Sequence, residues 1–125
     1  KVQEPAQAAN ALTVGAFTAK TTMPPEAVYA SARPLAPAGG ISPHTSAGTV
    51  GGIVKPDVLM EGGNLGFDGQ LPGANIETLC TLTTARDFLR SPLGSICKTS
   101  EATSRVAHLA AAVWQADQTL RPATI

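Results

Sequence analysis

The sequence predicts an α/β fold, on three observations. Leu12 to Thr18 is a short apolar run closing in polar residues, which reads as a buried strand. Ala102, Val106, Leu109, Ala110, Val113 and Trp114 recur at helical spacing near the C-terminus and form one apolar stripe. Gly, Pro, Ala and Thr are abundant while aromatics make up only 4% of the chain, a composition that suits tight α/β packing with long loops. A chain of 125 residues can bury one core of modest size.

The elements follow in order. Residues 1–9 read as a lead-in to the strand Leu12–Thr18. Met23-Pro24-Pro25, then Pro34, Pro37, Gly39 and Gly40, break regular structure, so residues 21–52 are expected to be mostly loop, with at most a helical turn over 26–32. A long irregular connection of this kind suits a functional loop, or a piece that lacks its packing partner. Val54 to Met60 contains Pro56, which demotes it to an edge or irregular strand. Gly62, Gly63, Gly66, Gly69 and Gly73 form a stretch able to approach other backbone closely. No Gly-Lys-Ser or Gly-Lys-Thr ends it, so it is not a phosphate-cradling loop. Glu77–Thr84 reads as a strand, Ala85–Leu93 as a turn or short helix, and Ile96–Lys98 as a short extended lead. A helix is expected from about Glu101 to Gln118, with Pro122 placed to open another.

Charge and composition exclude several function classes. The formal net charge is zero and no basic cluster is present, so no nucleic-acid partner is expected. No apolar run approaches membrane-spanning length, so no membrane partner is expected. Cys80 and Cys97 are the only cysteines. They read either as a pair or as small buried hydrophobes; free thiols are the expectation, because two cysteines make no disulfide framework and too few ligands for a structural zinc.

The chemistry concentrates in Lys98-Thr99-Ser100-Glu101-Ala102-Thr103-Ser104-Arg105-Val106-Ala107. A Thr-Ser pair opens the helical pattern and sets a serine hydroxyl at the first turn. Backbone N–H groups there are unpaired and the helix dipole favours negative charge. That suits a nucleophile that must face an oxyanion. The plainer reading makes Thr99 or Ser100 an ordinary N-cap.

Four segments resemble the subtilisin-like serine peptidases. The run above resembles the family's Gly-Thr-Ser-x-Ala-x-Pro-x-Val-Ala, with Thr99, Ser100, Ala102, Val106 and Ala107 in register. Ala9 to Ala16 resembles the core strand Asn-Val-Ile-Thr-Val-Gly-Ala. Val54-Lys55-Pro56-Asp57-Val58 resembles Ile-Lys-Pro-Asp-Val, and Leu120 to Ile125 resembles a helix start Arg-Pro-Glu-Thr-Ile. The segments occur in the family's order and cover nearly the whole chain. Lys98 stands where the family has Gly, and Ser104 where it has Pro.

The resemblance implies the C-terminal portion of a three-layer subtilisin-like fold with a mainly parallel sheet. Residues 1–125 would then be a partial peptidase domain, because a complete one is about twice as long. Ser100 would be the nucleophile and its backbone N–H one oxyanion donor, with Thr99 as a helper hydroxyl. The family's Asp, His and oxyanion Asn would lie in an N-terminal part of the same domain, upstream of Lys1. The order Asp, His, Ser along the chain is that of subtilisin. The implied reaction is peptide-bond hydrolysis through an acyl-enzyme on Ser100, with protein or peptide as substrate and no cofactor or metal. The chain alone is expected to be inactive. Glu61-Gly62-Gly63-Asn64 resembles a bacterial, intracellular branch, which implies the bacterial cytoplasm and an AAA-type ATPase as partner. A degenerate subtilisin-like domain serving as a protein-binding module, with Lys98 blocking the site, is the alternative function.

Other polar residues have plainer readings. His44, in the loop Ile41-Ser42-Pro43-His44, reads as a loop histidine that nothing in the spacing ties to Ser100. His108 shares the helix of Ser100 but lies about 12 Å along its axis at about 1.5 Å per residue, too far for a direct base. Asp57 reads as a loop-capping carboxylate. Glu61, Asn64 and Asp68 lack the carboxylate density of a calcium loop. Lys98 raises a Ser-Lys alternative, but its neighbouring strand position points it to the opposite face. Finally, one neighbour of the strand Leu12–Thr18 is expected to lie in the absent N-terminal part. The exposed edge and the helix's uncovered packing surface would then make the chain self-associate.

Overall fold

The computed structural model describes residues 2–26, 30–67, 72–74 and 76–121. Within them the chain is mixed α/β, with one helix set against small sheets. The strands are β1 (Val14–Thr18), β2 (Arg33–Pro34), β3 (Gly40–Ile41), β4 (Gly48–Val50), β5 (Ile53–Lys55), β6 (Val58–Glu61), β7 (Gly66–Phe67), β8 (Pro72–Ala74), β9 (Thr81–Thr84) and β10 (Leu93–Ile96). The helix α1 runs Thr99–Ala116.

The central sheet has the order β3-β1-β6. β1 and β6 are parallel, with Val14 opposite Val58 and Phe17 opposite Glu61. β3 is antiparallel to β1 and pairs only at Phe17 and Thr18. Beyond β3, Ser42 N–H donates to the Ala16 carbonyl, and the Thr45 hydroxyl accepts from Ala16 N–H. The expectation that one neighbour of β1 lies outside the chain is therefore corrected. The loop after β3 folds back and takes that side. Parallel pairing is confined to β1–β6 among the described residues; β4–β5, β9–β10 and β2–β7–β8 pair antiparallel.

Pro56 divides the apolar run 54–60, as its missing N–H requires. β5 ends at Lys55, the Lys55–Pro56 bond is cis, and β6 begins at Val58 on the sheet edge. The run 77–84 is not one strand. Glu77–Leu79 forms a single 3-10 turn, held by Leu79 N–H on the Ile76 carbonyl, and the strand starts at Thr81. The possible turn at 26–32 lies partly, and Asp68, Gly69 and Pro122 lie wholly, outside the described residues.

The core is small. Ala16, Ile76, Leu79 and Ala102 are at most 1% exposed, and α1 lies across β1 and β6. Much of the apolar stripe on α1 remains open: Leu109 is 50%, Val113 46% and Trp114 53% exposed. The total accessible surface is 8546 Å². A folded monomer of 12.7 kDa is expected to expose about 6,200 Å².

Candidate active site

The site is built where the Gly62–Gly63 segment meets the start of α1. Leaving β6, the chain turns at Gly62 and Gly63, and both glycines are required by what touches them. A Cβ on Gly62 would sit 2.6 Å from the Ala16 Cβ and 3.0 Å from the Lys98 carbonyl oxygen. A Cβ on Gly63 would sit 2.6 Å from the Cys97 Cβ. This close approach lets the Gly62 carbonyl accept from Lys98 N–H at 2.7 Å. The peptide entering α1 is thus fixed to the end of the central sheet.

Lys98 is the N-cap of α1, with φ 95° and ψ 172°. That region of backbone space is essentially reserved for glycine. Lys98 is the one non-glycine residue with positive φ among the described residues. It is an exposed residue. Its conformation is not that of an extended strand, so strand alternation does not set the direction of its side chain, and the segment differs from the extended lead expected over Ile96–Lys98.

Thr99 and Ser100 are the first two residues of α1, two positions earlier than the helix start read from sequence. Neither is the cap. The Ser100 side chain is exposed and makes no hydrogen bond among the described residues. Its N–H lies in the first turn, where intrahelical acceptors are lacking. Thr99 is half-buried. Downstream hydroxyls are spent on the helix itself, Thr103 donating to the Thr99 carbonyl and Ser104 to that of Glu101.

A cavity of about 290 Å³ opens beside this helix start, lined in part by Thr13, Val14, His44, Ser46 and Thr99. The structure therefore brings His44 to the same cavity as Thr99, which the spacing alone did not require. Ser100 is not among its lining residues. The Nε2 atom of His44 is buried without a hydrogen-bond partner among the described residues. Burial, and secondarily the charge of Lys98, hold the His44 imidazole below its usual range, against a backbone hydrogen bond at Asn64. The neutral imidazole is thereby favoured over the imidazolium.

The remaining candidates are structural. Lys55 is only 1% exposed and donates from Nζ to Asp57 Oδ2 at 2.7 Å and to the Ala11 carbonyl at 2.9 Å. Asp57 Oδ2 also accepts from Thr13 N–H at 2.7 Å, so it caps the entry to β1. Lys55, then the Thr13 amide, hold the Asp57 carboxyl below the usual carboxylate range. Glu61 accepts from the backbone of Ala19 and Gly63. Asn64 is fully buried and bonds the backbone of Lys20, Ala36 and Leu65. The oxygens of this loop thus organise backbone. His108 is exposed, beside a groove shared with Met60, Ser104 and Leu109.

Sequence reasoning missed Lys55 and Glu101 as buried charges. Glu101, 4% exposed, takes Arg105 through Oε1 at 3.0 Å and 2.9 Å, while Oε2 has no hydrogen-bond partner among the described residues. The signal was present as Glu and Arg four residues apart on one helix; its burial was not.

No curated protein and no solved structure matches the chain. The family model described as the subtilase family, Peptidase S8, matches residues 1–125. The match spans the strand β1, the glycine turn at Gly62–Gly63 and the serine-bearing start of α1, and the chain belongs to the subtilase family.

Proposed function

We propose that Ser100 is the nucleophile of a serine-type endopeptidase, and that residues 1–125 are the nucleophile-bearing part of its catalytic domain. The observation that carries this reading is the placement of Ser100. Its hydroxyl is exposed, without a hydrogen bond among the described residues and set at the second position of α1, in a chain of the subtilase family. In the proposed reaction Ser100 Oγ attacks the carbonyl carbon of the scissile peptide as a base takes its proton. The Ser100 N–H, at the positive end of the helix dipole, donates to the oxyanion. Thr99 is the helper hydroxyl. Collapse expels the amine and leaves an acyl-enzyme, which water hydrolyses.

The base is assigned to an N-terminal part of the same domain, together with the Asp that orients it and the second oxyanion donor. The uncovered stripe on α1 and the large accessible surface support a domain completed by further chain. The whole would then have the three-layer, mainly parallel architecture of which β1, β6 and α1 are one portion. A bacterial intracellular branch, with an AAA-type ATPase as partner, rests on the resemblance carried by Glu61 to Asn64.

Lys98 favours a second reading. A lysine in a glycine-only conformation, two residues before the nucleophile, suits a degenerate domain retained for protein binding. Peptide hydrolysis by the intact protein separates the two. The first reading expects turnover that Ser100→Ala lowers by at least about 10³-fold. Binding of unfolded protein without turnover, unchanged by Ser100→Ala, supports the second.

A further inference from the structure

The register of the hairpin β9–β10 pairs Leu93 with Thr84, Gly94 with Thr83, Ser95 with Leu82 and Ile96 with Thr81. Continued one step beyond the paired residues, the same register would set Cys97 opposite Cys80. Directly opposed residues of an antiparallel pair have Cβ atoms about 4.5–5.5 Å apart. A disulfide needs Cα atoms about 4.4–6.8 Å apart and Cβ atoms near about 4 Å, so a small approach suffices. The Cys97 side chain acts directly on the Cys80 thiol, and neither is in a disulfide. Cys80 is buried and Cys97 half-buried. Cys97 lies against Gly63 and immediately precedes Lys98, the residue that enters α1.

We propose that Cys80 and Cys97 are a reversible redox modification site, whose disulfide closes the end of the β9–β10 hairpin and tethers the segment leading into α1. The oxidant is a small-molecule disulfide such as oxidised glutathione. Cys97, the more accessible sulfur, attacks one oxidant sulfur as its thiolate. The oxidant's S–S bond breaks, one glutathione thiolate leaves, and Cys97 carries a mixed disulfide. Cys80 then loses its proton and attacks the Cys97 sulfur. The second glutathione thiolate leaves and the Cys80–Cys97 bond forms. Two protein thiols give up two protons and two electrons; the oxidant takes the electrons, and its two thiolates take the protons. Burial, then the hydrogen bond to Cys97, push the Cys80 thiol up to about 12. The second step is therefore the slow one, and it quickens as pH rises.

The test is native incubation of the chain with oxidised glutathione, quenching with iodoacetamide, and mass spectrometry. Arg86 and Arg90 lie between the cysteines, so trypsin separates the two peptides unless they are cross-linked. The expected product is a monomer lighter by two hydrogens, with Cys80 joined to Cys97. It should form faster at pH 9 than at pH 7, revert with dithiothreitol, and show a higher urea midpoint than the reduced chain. Cys80→Ala should stop at a glutathione adduct on Cys97. Wild-type chain that stops at this same adduct would overturn the proposal, as would cross-links found only between molecules. The wild-type measurement decides the matter even if the variant fails to fold.

Discussion

The backbone N–H of Lys98 donates to the Gly62 carbonyl at 2.7 Å, while the Lys98 carbonyl oxygen lies 3.0 Å from where a Cβ on Gly62 would sit. This contact joins the C-terminal end of the parallel pair β1–β6 to the N-terminus of α1. It requires no side chain at Gly62 and a glycine-like backbone at Lys98. Ser100 follows this contact by two residues, at the second position of α1.

Lys98→Gly should stabilise the chain. The backbone region that Lys98 occupies costs a non-glycine residue about 1–3 kcal/mol. Glycine loses about 0.5–1 kcal/mol more entropy on folding. A net gain of about 1 kcal/mol is expected as a higher urea midpoint at unchanged slope. A lower midpoint would show that Lys98 contributes an interaction exceeding its strain.

Gly62→Ala should do the opposite. The added methyl meets the Ala16 Cβ at 2.6 Å, within the sheet, and must displace either β1 or the entry to α1. A loss of about 1–3 kcal/mol is expected by urea denaturation. Amide shifts in NMR spectra should concentrate at Ala16 and at residues 97–101. Shifts confined to residues 61–63 would mean that the turn yields alone.

Much of this arrangement was legible in the sequence, and the remainder was not for identifiable reasons. β1 and α1 follow from apolar periodicity, and Pro56 announces the break between β5 and β6. The strand read over 77–84 failed at its first half because a distant contact decides it: the Leu79 carbonyl accepts from Asn64 N–H at 2.9 Å. Buried Lys55 was illegible because lysine is normally exposed, and only Asp57 and the Ala11 carbonyl make its burial tolerable. The backbone of Lys98 was illegible because lysine carries no preference for positive φ. The proximity of His44 to Thr99 depends on how the loop after β3 folds against β1, which no local pattern encodes.

Two pH dependences follow, with the same sign. The folded-state pKa of Asp57 is lowered, so its contribution is present above the unfolded value of about 3.9 and lost as pH falls through the lower folded value. Asp57→Asn should flatten the acid limb of stability below about pH 4. His44 is also lowered, so stability should decline as pH falls below about 6.5, where the unfolded chain takes up the proton first. In His44→Leu that decline should vanish. An imidazole titrating at or above about 6.5 in the folded chain would contradict the second point.

The open face of α1 should drive association of the chain by itself. Leu109, Val113 and Trp114 are each about half exposed along one side of the helix. Light scattering after size-exclusion chromatography should give a mass above the monomer's. Leu109→Glu with Val113→Glu should restore the monomer without lowering the urea midpoint by more than about 1 kcal/mol, as befits exposed positions. A wild-type monomer at high concentration would show that this face needs no cover.

The most direct measurement is active-site labelling of the intact protein with a fluorophosphonate, mapped by peptide mass spectrometry. The probe reports a serine activated by a base, independently of any substrate preference. One adduct at Ser100 is expected, absent from Ser100→Ala and negligible in the 125-residue chain alone. An intact protein that hydrolyses peptides but carries its adduct on another serine, or that retains hydrolysis after Ser100→Ala, would contradict the assignment of Ser100 as the nucleophile.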